Sequence, residues 1–373
     1  MCFTLIVCCS ETGGELMYSS WGIVCDYMER DQMKSCQNSQ FIQCWNKCCC
    51  KILIICLCLF STAMLPGFAS ATQSFEAWRA ELRTEVLSKG ISPDVFDTAF
   101  VGLQPIKRVI ELDRSQPEFT MTLDTYLSKV VSNTRVKNAR QKLTKHKKIL
   151  DEVSKKFGVQ SRFIVALWGI ETNFGQHTGG FPVIAALATL AHDGRRSSYF
   201  RGELLNALQI IEEGHITSKS MKGSWAGAMG QSQFMPSSFL SYAYDYNGDG
   251  RRDIWTTRDD VFASIANYLS SVGWRDDMTW GREVIIPSTL NAKNLSEKKT
   301  VKRMAEWQAL GVRLTDRSDL PKRDLKSRLV VPERGQGRAF LAYENYNNIL
   351  KWNRSNFFAI AVGSLADQIR AYE

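Results

Sequence analysis

Between residues 72 and 280 apolar residues recur at intervals of three and four with few alternating runs, and this spacing predicts a mostly helical chain. From 75 to about 116 the pattern reads as short helices broken near Gly90 and Pro105. Over 137–156, Arg140, Lys142, Lys145, Lys147 and Lys148 alternate with Leu143, Ile149, Leu150 and Val153 at helical spacing, which predicts an amphipathic helix with a solvated basic face. Gly158 then closes one helix and Ser161 can cap the next. In that next helix Phe163, Ile164, Leu167, Trp168 and Ile170 leave almost no polar face, as in a core helix. From Gly281 the period changes, and 283–286, 312–314 and 329–331 read as short strands among Pro and Gly turns. An aromatic and amide-rich segment, 340–353, and a closing helix from 357 to about 370 follow. The predicted class is mainly α, with a helical core and a small inserted β unit. Its divisions are a leader (1–71), an N-terminal helical region (72–135), the core (136–280), the β unit (281–338) and a C-terminal segment (339–373).

The leader changes the picture of where the protein works. Lys47 and Lys51 precede an apolar run, 52–65, followed by Pro66, Gly67 and Ala69-Ser70-Ala71, the layout of a secretory signal peptide cleaved after Ala71. A membrane-spanning helix needs about 20 apolar residues, more than this run offers. Residues 1–32 fit no targeting pattern, and translation from Met28 or Met33 is the alternative start. A lipid anchor on Cys56 needs a small residue before it, whereas the chain has Ile55, so no stable membrane anchor is expected.

All eleven cysteines lie in the first 58 residues, which removes thiol chemistry and disulfides from the remainder. The four histidines, His146, His177, His192 and His215, form no HExxH or other close pair, so a zinc enzyme is not expected. The formal net charge is +9. An exported chain of that charge meets anionic envelope polymers, not nucleic acid.

One carboxylate stands out. Glu171 lies one turn beyond Leu167 and Trp168 on the apolar helix, and Thr172-Asn173-Phe174-Gly175 ends that helix at once. Apolar neighbours and the negative end of the helix dipole both disfavour the anion and push the pKa upward. A carboxyl kept protonated near neutral pH is what protonating a glycosidic oxygen requires. The competing reading is an exposed last-turn Glu without a role. Gly230-Gln231-Ser232-Gln233-Phe234 begins like a nucleophile elbow but lacks its closing Gly and a preceding strand, so the serine-hydrolase reading fails. The small residues around it permit close approach of a ligand, and Ser224, Gln231 and Gln233 offer groups suited to sugar acetamides and hydroxyls.

The run Ala166-Leu167-Trp168-Gly169-Ile170-Glu171-Thr172-Asn173-Phe174-Gly175, together with Gly227-Ala228-Met229-Gly230-Gln231-Ser232-Gln233-Phe234-Met235-Pro236-Ser237-Ser238-Phe239, resembles the lytic murein transglycosylases of the MltB type (glycoside hydrolase family 103 type). The likeness runs from about Phe75 to Ala371. It implies a lysozyme-like core and a periplasmic lyase that cleaves the MurNAc to GlcNAc β-1,4 bond of peptidoglycan, leaving a 1,6-anhydroMurNAc end, with Glu171 as single acid/base. Peptidoglycan strands are the implied partner, other cell-wall enzymes are candidate partners, and no organic cofactor is implied. By the same likeness Tyr126, Arg195, Arg196, Tyr199, Ser224, Met229, Gln233, Phe234 and Tyr268 line the substrate groove. Tyr343, Asn345, Trp352 and Asn353 form its closing wall, with Trp352 standing where the family pattern leads us to expect tyrosine. Two alternatives stay open: a hydrolase with Asp193 or Asp245 as second carboxylate, and a non-catalytic peptidoglycan-binding or scaffold protein.

Asp245, Asn247, Asp249, Gly250 and Asp253 occupy positions 1, 3, 5, 6 and 9 of an EF-hand loop, and Arg251 supplies a carbonyl at position 7, a hard-oxygen set suited to calcium. Thr256 stands where the closing Glu belongs. The family's lengthened loop, here 245–259, makes Asp259 the implied closing ligand and Asp260 the alternative. Thr257 and Asp260 also read as a capping box for the helix that follows.

Overall fold

The protein, seen in a computed structural model, is described for residues 73–115, 121–333 and 335–370; the expected leader lies outside them. At the centre is the apolar helix Ser161–Thr172, in which every residue except Ile170 is buried. Phe163, Ile164, Leu167 and Trp168 are completely enclosed, and burial of each such side chain contributes about 1.5–3 kcal/mol. Helices Asn133–Lys145, Lys147–Phe157, Arg258–Ser271 and Asn356–Ile369 surround it. Gly158, at φ 65°, ends the preceding helix as expected, because only a residue without Cβ adopts that conformation freely. Ser161 is not the cap. Gln160 takes that position, and the Ser161 hydroxyl instead donates to the Leu150 carbonyl at 3.1 Å, fastening one helix to the previous one.

The basic stretch folds as two helices meeting at His146, not as one. No Gly or Pro marks that break, and Leu143, Leu150 and Val153 keep the spacing of a single apolar face across it. The N-terminal region forms Phe75–Ser88, Pro93–Ala99 and Lys107–Arg114, interrupted where Gly90 and Pro105 predict. Ser92 accepts from the Val95 N–H and donates to Glu212 at 2.8 Å, so one hydroxyl both caps a helix and anchors it to the body. A continuous apolar core extends from Trp78 to Ile369.

Among the described residues the larger sheet has five strands in the order Val301–Arg303, Lys326–Val330, Ala339–Ala342, Gly281–Ile285 and Arg313–Leu314, all antiparallel. It carries its own core, with Met304, Trp307, Val312, Leu341 and Tyr343 at its heart. Two strands escape the sequence pattern. Ala339–Ala342 is buried on both faces and therefore shows no alternation, and it carries the sheet past residue 338. Val301–Arg303 is a short edge strand too polar to register.

Candidate active site

Glu171 reaches its position through an abrupt helix end. Asn173, Phe174 and Gly175 all adopt positive φ, at 50°, 62° and 82°. Such a run is strained for non-glycine residues and persists only where the surroundings hold it. Here the Phe174 ring stacks edge-on against Trp168 at 5.4 Å and lies over Gly169, where an added Cβ would come within 2.7 Å of it. The Thr172 hydroxyl donates to the Gln231 carbonyl at 2.9 Å, and the Gly175 N–H donates to that hydroxyl at 3.0 Å.

Gln231 is a brace. Its amide oxygen accepts from Trp168 Nε1 at 2.9 Å, and its nitrogen donates to the Trp255 carbonyl at 2.8 Å. The second motif is thereby locked to the helix that carries Glu171. Sequence alone suggested Gln231 for substrate; each end of its amide also makes a hydrogen bond within the protein.

Glu171 is 9% exposed. Burial pushes its pKa up to about 8, against the opposing effect of the Trp352 indole N–H, which donates to Oε1 at 2.7 Å. Trp352 packs against Phe234 at 5.1 Å and Tyr268 at 4.7 Å, and Tyr268 against Tyr242 at 4.5 Å. Tyr126 is 3% exposed, and the charge of Glu171 adds to burial in raising its phenol above the usual range. Tyr126, Phe234, Tyr268 and Trp352 thus gather around the acid or its indole partner.

The other expected groove residues are placed differently. Gln233 adopts φ 52° and donates to the Gly230 carbonyl at 2.9 Å, leaving its buried Oε1 without a hydrogen bond. Ser224 Oγ accepts from the Ala228 N–H at 3.0 Å, and Met229 is wholly buried, its backbone bridging Gly223 and Phe234. Arg195 and Arg196 both hold the buried Asp113, Arg195 through its carbonyl at 2.6 Å and its carboxylate at 3.2 Å. Tyr199 beside them is exposed. Tyr343 sits inside the core of the β unit with its hydroxyl against Arg282 and Met304. Asn345 is fully buried and bonds the backbone of Arg275 and Met278. Asn353 accepts from the Ser355 N–H at 3.1 Å.

The acidic loop is held by its own backbone. Asp245 accepts from Gly248 and Gly250, Asn247 from Asp249, and Asp249 from Arg251. Asp253 is committed to the Trp255 and Thr256 N–H groups, each at 2.9 Å, and to the hydroxyls of Thr256 and Thr257. Asp260, wholly buried, accepts from Tyr246 and Asp253 at 2.8 Å each and so closes the loop from both ends. It forms no capping box with Thr257, which makes no side-chain cap. Asp259 is partly exposed, and its charge acts on His146. Among the described residues no three carboxylate, imidazole or thiol side chains converge as a metal cluster.

Sequence reasoning missed Asp113, the partner of both arginines, and the bracing role of Thr172. Neither stands out by residue type or spacing.

The chain and its fold are similar to known proteins. The chain is 31% identical over 246 residues to the membrane-bound lytic murein transglycosylase B of Escherichia coli K12, covering 65% of this chain and 66% of that protein, just short of two thirds. SltB3 of Pseudomonas aeruginosa, solved in complex with NAG-anhNAM-pentapeptide and with NAG-NAM-pentapeptide, is 43% identical with a TM-score of 0.77 over 80% of each chain. Slt35 of Escherichia coli, solved in complex with calcium, is 26% identical with a TM-score of 0.67 over 79% of this chain and 92% of that one. These neighbours are lysozyme-like lytic transglycosylases, in agreement with the predicted fold class. The model of the transglycosylase SLT domain matches residues 74–367, and the chain belongs to that family.

Proposed function

We propose that this protein is a lytic transglycosylase that cleaves the MurNAc to GlcNAc β-1,4 bond of peptidoglycan with Glu171 as its single acid/base. The observation that carries the reading is the enclosed carboxyl whose pKa near 8 keeps it protonated at neutral pH. Glu171 gives that proton to the glycosidic oxygen as the bond to MurNAc C1 breaks. The carbonyl oxygen of the substrate's own N-acetyl group closes on C1 and holds the developing positive charge, as in substrate-assisted glycosidases. Glu171, now ionised, takes the proton of the C6 hydroxyl while O6 displaces the acetamide oxygen from C1. The product is the 1,6-anhydro sugar, the acid is restored, and no water is consumed. The binding of NAG-anhNAM-pentapeptide by SltB3 supports this product.

The ordinary two-carboxylate hydrolase needs a second carboxylate beside the sugar. Both candidates are engaged elsewhere: Asp193 pairs with Arg114 at 2.7 Å, and each oxygen of Asp245 accepts a backbone N–H of its own loop. The exposed Tyr199 and the arginines beside it provide a stacking face and positive charge suited to a pyranose and to peptide-stem carboxylates. A mass spectrum of digested peptidoglycan tests the reading. Products one water lighter than the hydrolysed muropeptides are expected, and reducing MurNAc ends would defeat it.

The reading extends to calcium and to export. Asp245, Asn247, Asp249, the Arg251 carbonyl, Asp253 and Asp259 would supply an all-oxygen donor set. The side-chain oxygens of the first three that accept a backbone N–H each retain a lone pair, which suits a hard cation whose role is to rigidify the loop. The calcium complex of Slt35 supports it. The signal-peptide pattern supports secretion to the periplasm with cleavage after Ala71, and mass analysis of the mature N-terminus tests that; a diacylglyceryl Cys56 would overturn it.

A further inference from the structure

The indole of Trp352 is held in place from several sides. It is the last residue of helix Glu344–Trp352, and that helix is fastened to the turn after helix Arg258–Ser271 by three side chains. Asn345 bonds the backbone of Arg275 and Met278, Asn348 donates to the Gly273 carbonyl at 2.9 Å, and Lys351 to the Val272 carbonyl at 2.7 Å. Phe234 and Tyr268 pack against the ring itself. Its N–H meets Glu171 Oε1 at 2.7 Å, and among the described residues this is the hydrogen bond the carboxyl makes.

An indole N–H donates and cannot accept. The oxygen facing it accepts best as the unprotonated carbonyl oxygen; a hydroxyl there would have to turn its hydrogen aside and accept through a weaker lone pair, so the proton is favoured on the other oxygen. A tyrosine in this place, with a hydroxyl that both donates and accepts, would leave the choice open. We propose that Trp352 is a positioning residue: its N–H holds Oε1 of Glu171 as a permanent acceptor, so that the transferable proton is carried on Oε2. The same bond stabilises the carboxylate that remains after the proton has left, since a donor to an ionised group is stronger than a donor to a neutral one. The proposal rests on the reading of Glu171 as the acid/base.

Trp352→Phe keeps the aromatic packing and removes the donor. Its kcat is expected to fall about tenfold with KM changed less than threefold, the size of one hydrogen bond to a charged group. Because the lost donor favoured the ionised form, the basic limb of the pH profile should move upward by about one unit. Trp352→Tyr, which restores a donor, should recover part of the kcat and bring the limb back. A folded Trp352→Phe enzyme with kcat within twofold of wild type and an unmoved limb overturns the proposal. So does a loss confined to KM, or a folded Trp352→Tyr enzyme no better than Trp352→Phe. A measurement on the unaltered protein covers the case in which the variants do not fold. The Trp352 indole N–H resonance, followed by nitrogen-15 NMR, should titrate with Glu171 and stay flat in Glu171→Gln; a flat wild-type resonance overturns the proposal. That readout needs no turnover, so it is distinct from failure of the catalytic reading, which the turnover of Glu171→Gln decides.

Discussion

Two sites built on carboxyl groups, the end of helix Ser161–Thr172 and the loop 245–260, are set up in opposite ways. Glu171 is enclosed by apolar groups with a single donor, and burial drives its pKa up to about 8. Asp249 lies in the open, and the Arg251 N–H followed by the Asn247 amide holds its carboxyl below the usual range. The same functional group is held towards its neutral form in one place and towards its anion in the other. What differs is the supply of water and N–H donors, which decides the charge state.

The largest expected effect breaks the catalytic side of this comparison. Glu171→Gln keeps the size of the side chain but can neither give nor take a proton. Turnover of peptidoglycan should fall by about 10⁴-fold or more, the upper end for a general acid/base, because one residue serves both steps. A folded variant releasing anhydro-muropeptides near the wild-type rate would show the assignment to be wrong. In the wild type, activity should decline as pH rises through about 8, where the acid ionises.

The same substitution should stabilise the fold. Glu171 binds its proton more tightly folded, at about 8, than unfolded, at 4.5, so stability is complete below pH 4.5 and is lost as pH rises, until the loss levels off near 8. Each pH unit between these limits costs about 1.4 kcal/mol, so at pH 7 Glu171→Gln should be more stable by about 3 kcal/mol. Urea unfolding of both proteins at pH 4 and pH 7 measures it; equal gaps at the two pH values would contradict the burial argument.

Calcium sharpens the other side. An ion bound only by the native loop should raise stability by about 2.7 kcal/mol at a hundredfold excess over its dissociation constant, and Asp245→Ala should remove that gain. A melting temperature indifferent to chelator and to added calcium would exclude the loop as a binding site. The smallest effect separates Arg196 from Tyr199. Arg196→Ala removes one of the two arginine partners of the buried Asp113 and should destabilise by about 2 kcal/mol, whereas the exposed Tyr199→Ala should alter stability by about 0.5 kcal/mol or less. Calorimetry giving both the same shift would remove the distinction.

Much of the site was legible where the signal is local. The apolar spacing from Phe163 to Ile170 marks the core helix, and the sudden Glu171 followed by Asn173-Phe174-Gly175 marks both the acid and the helix end. The alternation of Asp245, Asn247 and Asp249 around Gly250 marks the loop. The arginines were legible as residues but not as partners, because Asp113 comes from a different helix, about eighty residues earlier. Tyr343 and Asn345 were legible as polar and aromatic groups, but the core of the β unit and the Arg275 turn enclose them.

The sequence by itself determined that the stretch from 75 to 280 is mostly helical, which helix is interior and which carboxyl it carries, because periodicity, glycine conformation and residue type act within a few turns of chain. Tertiary structure decided how that carboxyl is finished. The Trp352 indole reaches Glu171 across 181 residues, Gln231 braces Trp168 across 63, and Asp260 rather than Thr257 ties the acidic loop. A hydrogen bond depends on where two atoms meet in space, and spacing along a single chain does not encode that for residues brought together only by packing.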